Sequence, residues 1–190
     1  MAGERFSFHT TGIADLWLCV RGDFSDDRGV FAKLFSAPDF KKIGVERPIR
    51  QINHSLSRAK GTVRGLHFQY PPHAETRIIT CTAGKIYDVA VDLRKDSPTF
   101  LKHYGVELSP QAQNSLVIPE GFAHGFQTLE ADCEIIYLHT DDYVPESEDG
   151  LNVADPALGV AWPLPVSGLS ARDAAHKILA EREFTGIETG

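Results

Sequence analysis

The chain has 190 residues, 42% hydrophobic and 24% charged, which suits a single soluble domain, 1–190, with a core of its own. Nineteen Lys+Arg against 26 Asp+Glu give a formal charge of -7, which argues against a phosphate polymer as partner, so no nucleic acid is expected. No run reaches the ~18 apolar residues of a membrane span, and MAGERFSFHT has no signal-peptide pattern, so no membrane partner and a cytoplasmic location are expected.

Along the chain, short runs rich in Val, Ile, Phe and Tyr alternate with turn clusters, so the chain reads as mostly β, a sandwich or barrel. FSDDRG is the first turn cluster, and APDFKKIG (37–44) has the pattern for one or two helical turns. In QINHSLS (51–57), period two puts Gln51, Asn53 and Ser55 on one face and Ile52, His54 and Leu56 on the other. The polar face either lines a wet pocket or faces solvent, and sequence alone favours solvent. In GTVRGLHFQ (61–69), strict alternation separates Arg64 from His67, and a bulge at Gly65 would bring both to one cavity. KIYDVAVDLR (85–94) has an apolar face of Tyr87, Val89, Val91 and Leu93, while the other face carries Asp88 and Asp92 beside Ile86 and Ala90. Those carboxylates are either unusual interior groups or exposed ones, with Asp92 starting a turn. IPEGFAHGFQ (118–127) presents His124 between glycines, and EIIYLHT (134–140) is another strand. SARDAAHKILAER (170–182) is the better helix candidate, with Ser170 or Asp173 as N-cap, and FTGIETG (184–190) is expected to fray. Cys19, Cys81 and Cys133 form no CxxC pair and are expected as buried thiols.

The spacing PxGxxH from Pro119 to His124 resembles the second motif of the cupin superfamily, whose members often bind a metal. The first motif is incomplete, because Gln69 stands where a second histidine is needed. A His67, Glu75, His124 site is therefore the lesser alternative, and the expectation is no metal and no cofactor.

FSDDRGVF, QINHSLS, GTVRGLHFQ, GKIYDVAVDLRKDSPT, IPEGFAHGF, the strand holding Tyr137, DPALGVAWP and LSARD together resemble the dTDP-4-dehydrorhamnose 3,5-epimerases, a metal-free branch of that superfamily. The resemblance implies a cupin-like jelly roll with a few short helices, mainly C-terminal. It also implies a nucleotide-sugar substrate, no cofactor and a homodimer with N-terminal strands exchanged or packed across the interface. In catalysis it implies His67 as base, Asp173 as the carboxylate that orients it and Tyr137 as acid on the opposite face of the sugar. Arg64, Asp88 and His124 match positions near the reacting sugar. Arg28, Gln51 and Asn53 match contacts to the diphosphate or sugar, and Phe24 an aromatic beside the base. Arg77 and Arg64 are candidates for stabilising an enolate.

Five positions depart from that pattern: Arg77 replaces a usual lysine, Lys33 a glutamate and Val153 a tryptophan, and Leu138-His139 follows Tyr137 where a Tyr-Lys pair is common. These changes leave open the nucleotide, the sugar and whether one carbon or two is inverted. They also motivate a non-catalytic sugar-nucleotide binder as an alternative. An acidic chain that binds a nucleoside diphosphate must gather cations locally, so a basic site built from Arg28, Arg64, Arg77 and Lys33 is expected.

Overall fold

Alternation and turn residues divide the N-terminal third into short strands: β1 (Phe6–Thr10), β2 (Trp17–Arg21), β3 (Asp23–Asp26), β4 (Gly29–Ala32) and β5 (Gln51–Ser57), with a one-turn helix α1 (Ala37–Phe40) between β4 and β5. This computed structural model describes residues 5–189. The middle of the chain supplies β6 (Val63–Gln69), β7 (Arg77–Ala83), β8 (Ile86–Asp92), β9 (His103–Leu108), β10 (Asn114–Ile118), β11 (Phe122–Thr128) and β12 (Cys133–His139). A short β13 (Glu148–Gly150) and a one-turn α2 (Ala171–Ala174) follow.

The strands form a six-stranded sheet in the order β1-β2-β10-β7-β12-β5, a five-stranded sheet in the order β13-β6-β11-β8-β9, and the separate hairpin β3-β4. Their pairings are antiparallel, and residues from the two large sheets meet in one core: Ile79, Leu116 and Ile135 from the first, Ile86, Leu108 and Phe126 from the second. Both outer faces are covered too. Phe40 and Val45 pack on Ile78, Val117 and Leu138, while Leu151, Val153, Leu158 and Ile187 pack on Val63, Leu66, Phe68, Val89 and Val91. Each fully buried side chain such as Phe68 or Leu66 contributes roughly 1.5–3 kcal/mol, so covering both outer faces makes the sheets a rigid frame for a site between them.

This layering decides the reading of β8 that the sequence left open and corrects two expectations at the C-terminal end. Both faces of β8 are buried, so Asp88 and Asp92 are interior groups, each fully buried. Asp92 still starts the turn, accepting from the Arg94 N–H at 3.0 Å and from the Ser97 and Thr99 hydroxyls at 2.7 Å. The C-terminal helix is one turn rather than thirteen residues. Ser170 caps it by accepting from the Asp173 N–H at 3.0 Å, and the chain leaves the helix after Ala175 so that the Leu179 N–H can donate to Asp155 at 2.6 Å. The expected frayed tail is docked instead: Ile187 is buried, donates its N–H to the Leu93 carbonyl at 2.7 Å and accepts from Lys95 at 2.8 Å. The three cysteines are free and buried, and burial pushes the Cys19 and Cys81 thiols up to about 12.

Candidate active site

A cavity of about 480 Å³ lies between the sheets, floored by β6 and β11 on one side and β7, β12 and β5 on the other. Gly65 shapes the β6 wall. Its φ of +120° and the register shift opposite His124 and Phe126 insert one extra residue, so Val63 and Leu66 pack outward while Arg64 and His67 both line the cavity. A Cβ at Gly65 would lie 2.6 Å from the Gly125 Cα, so only glycine fits.

α2 brings Asp173 up behind His67. Nε2 of His67 lies 2.7 Å from Asp173 Oδ1, and Asp173 Oδ2 accepts from the Gly65 N–H at 3.4 Å. Burial alone would raise the Asp173 carboxyl, yet the bonds from His67, Gly65 and Ser170 hold it below the usual carboxylate range. A carboxylate only accepts, so Nε2 carries the proton and Nδ1 keeps the free lone pair. Burial lowers the His67 pKa despite the pull of Asp173, which keeps this ring neutral near pH 7.

Tyr137 enters from β12, on the other sheet. Its hydroxyl lies 3.2 Å from Ser55 Oγ, and burial pushes its pKa up, so it remains a phenol able to donate. His124 Nε2 donates to the fully buried Asp88 at 2.8 Å, and the imidazole stands edge-on to Tyr137. Asp88 is thus behind the cavity wall, with His124 in the wall. Gln51, Asn53 and Ser55 line the cavity, whereas Ile52, His54 and Leu56 face outward. The solvent-facing reading of that polar face is therefore overturned: β5 turns its polar side inward because Tyr137 and His139 are its partners in β12.

Two exposed candidates are not brought in. Arg28 and Lys33 lie exposed on and beside the β3-β4 hairpin and do not line the cavity; Arg28 pairs with Asp26 at 2.5 Å. Phe24 belongs to β3, but its side chain falls outside what the structure describes. The expected basic site is corrected as well. The lining cations Arg64, Arg77 and Arg172 are matched by Glu75, Glu148 and Asp173, so within one chain the cavity is balanced. Arg77 is committed to its surroundings: it donates to Glu75 at 2.9 Å and to the His67 carbonyl at 2.7 Å, fixing the strand of His67 rather than reaching into open space. Among the described residues, Arg64 is the lining arginine without a salt bridge, its Nε donating to Ser57 at 3.1 Å.

Sequence reasoning missed His139, Arg172, Tyr143 and Glu148 as lining residues. His139 Nδ1 donates to Glu75 at 2.9 Å and its ring stacks beside Tyr137. The period-two run Ile135, Tyr137, His139 carried that signal. Glu148 accepts from the Tyr143 hydroxyl at 2.7 Å and pairs with Arg172. Among the described residues, His67, Glu75 and His124 do not converge as a ligand group; Glu75 pairs with Arg77 and His139, and His124 with Asp88.

A jelly roll with an imidazole–carboxylate pair on one wall and a buried phenol on the other defines a carbohydrate-epimerase type of protein. Residues 10–181 match the family described as dTDP-4-dehydrorhamnose 3,5-epimerase. A member from Sinorhizobium fredii is 42% identical over 179 residues, covering 94% of this chain and 92% of that one; one from Salmonella typhimurium is 41% identical, covering 92% and 96%. Among solved structures, the dTDP-6-deoxy-D-glucose-3,5-epimerase of Legionella pneumophila, in complex with dTDP-4-keto-L-rhamnose, superposes with a TM-score of 0.89 at 38% identity, covering 94% and 95%. A 3′-monoepimerase from Streptomyces bikiniensis, in complex with dTDP-quinovose, superposes with a TM-score of 0.84 at 31% identity, covering 90% and 87%. The chain belongs to the dTDP-4-dehydrorhamnose 3,5-epimerase family of isomerases.

Proposed function

We propose that the chain, acting as one domain, epimerises a nucleotide-linked 4-keto-6-deoxy sugar of the dTDP-4-dehydro-6-deoxyglucose type. The observation that carries this is the placement of His67–Asp173 and Tyr137 in one cavity on opposite sheets. The 4-keto group acidifies the hydrogens on carbons 3 and 5. Nδ1 of His67 removes one, and the electron pair of the broken C–H bond becomes an enolate whose charge moves to the carbonyl oxygen. Asp173 stabilises the imidazolium that results. Arg64, the lining cation not neutralised by a carboxylate, faces the enolate oxygen. Tyr137 then delivers a proton to the opposite face of the same carbon, inverting it. Solvent returns a proton to Tyr137 and takes one from His67 before the next turnover.

The nucleoside diphosphate needs more positive charge than this balanced cavity offers. Arg28, on exchanging Asp26 for the diphosphate, and Lys33 just beyond the hairpin supply this charge to the cavity of a second copy in a homodimer. Exposed Val30, Phe31 and Ile52, at 65%, 68% and 67%, support such a contact. Free buried thiols agree with a reducing, cytoplasmic compartment, and no helix among the described residues is long and apolar enough to cross a membrane.

Incubation with dTDP-4-keto-6-deoxyglucose in deuterated water tests the reading. Deuterium is expected at carbons 3 and 5 with the wild type and at neither with His67→Ala. Exchange at carbon 3 alone identifies a 3-epimerase, the alternative that the likeness to the monoepimerase favours. No exchange with this sugar or with related CDP, GDP and UDP keto sugars would overturn the proposal.

A further inference from the structure

His176 stands next to the base and has no part in the chemistry above. It follows α2 and sits over Gly150, the residue that pairs with His67 across β6 and β13; a Cβ at Gly150 would meet its Nε2 at 2.3 Å. The two imidazoles are edge to face with centroids 6.4 Å apart. Nε2 of His176 is buried with no hydrogen-bond partner among the described residues, a costly state for a polar group. One ligand atom each from His67, Asp173 and His176 lie within 4.8 Å of one another. Two imidazoles and a carboxylate are a donor set for a zinc-class ion, with a fourth position left for water. Tetrahedral ligands at ~2.0–2.1 Å from zinc stand roughly 3.3 Å apart, so side-chain shifts of about 1.5 Å or less close the site.

We propose that His67, Asp173 and His176 form a divalent transition-metal site whose occupation switches the enzyme off. The ion bridges Asp173 and Nε2 of His67, and the proton now on Nε2 moves to Nδ1. The base atom is thereby capped and the nearby carboxylate neutralised, with no proton lost from the ring. Inhibition rests on His67 being the base as proposed above, whereas binding of the ion does not. The orphaned nitrogen of His176 gains the partner it lacks.

The test uses the full chain, treated with a chelator and titrated with ZnCl2 in a calorimeter, with CoCl2 as a spectroscopic probe. One ion per chain is expected, with tetrahedral Co2+ absorption. His176→Ala should weaken zinc binding at least tenfold, and His54→Ala, which removes the exposed His54–Glu134 pair, should leave it unchanged. Zinc should stop deuterium exchange in the wild type, and His176→Ala should exchange at the wild-type rate without metal while needing at least tenfold more zinc for inhibition. His176→Asn provides a second variant if the alanine form is poorly folded. Absence of stoichiometric binding, or undiminished affinity in both His176 variants, would overturn the site. A protein that binds zinc through His176 yet exchanges no sugar proton would refute the epimerase reading and leave the metal site standing.

Discussion

Replacing Asp173 by asparagine keeps the shape behind His67 and removes its charge. The bond it alters is the 2.7 Å contact to Nε2. A hydrogen bond to a charged group is worth about 1.5–3 kcal/mol, and at ~1.36 kcal/mol per decade that predicts a roughly 10- to 150-fold loss of kcat/KM. An asparagine amide that donates to the ring would also reverse the tautomer; the ~10⁴-fold cost of that change in serine proteases is the ceiling. The pH profile separates this from a merely structural defect. Burial already holds the His67 pKa below its ordinary value, and the bond and charge of Asp173, ahead of the charge of Glu148, pull it back up. Without them it falls further, and since His67 must be neutral to act, the acid limb of kcat/KM moves to lower pH. The variant should be slower and more acid-tolerant in proton exchange measured by NMR. An unchanged rate, or an acid limb displaced upward, would refute the dyad.

Other outcomes follow from the same geometry. Glu75 is pushed up by burial but held down, on balance, by its bonds to His139 and Arg77. Its folded value therefore lies below the unfolded ~4.3, so its contribution is present above that pH and lost as pH falls through the folded value. Glu75→Gln leaves Arg77 buried without its partner and should cost about 3 kcal/mol at pH 7, with the difference from wild type shrinking as the pH falls below ~4.3, in chemical denaturation. Gly65→Ala combines a left-handed backbone with a clash against Gly125 and should cost about 2–6 kcal/mol, read as lost thermal stability. Phe31→Asp should shift light-scattering mass from dimer to monomer; a wild type that is monomeric at micromolar concentration would contradict the homodimer.

Much of the architecture was written in local pattern. Alternation and turn residues located the strands, and Gly65 between Arg64 and His67 marked the bulge that gathers them. Other features depend on contacts that local pattern does not encode. Gln51, Asn53 and Ser55 show the same alternation whether their face meets solvent or a cavity, and only pairing with β12 decides it. The pattern of β8 left Asp88 and Asp92 open between interior and surface, and only the covering of both faces decides it. The helix at 170–182 had suitable residues, yet after one turn its backbone finds a better acceptor in Asp155. The expectation of a basic pocket rests on the charge a nucleoside diphosphate requires, but Arg77 is neutralised by Glu75 two residues before it, and Arg172 by Glu148, which arrives from β13.

Inversion requires a base on one sheet and an acid on the other, and deuterium uptake and inversion at carbon 3 can be followed in the same NMR time course, wild type against Tyr137→Phe. The opposed pair predicts that uptake persists while inversion drops at least tenfold, since His67 still removes and returns the proton on its own face. Inversion at the wild-type rate in the phenylalanine variant would contradict it.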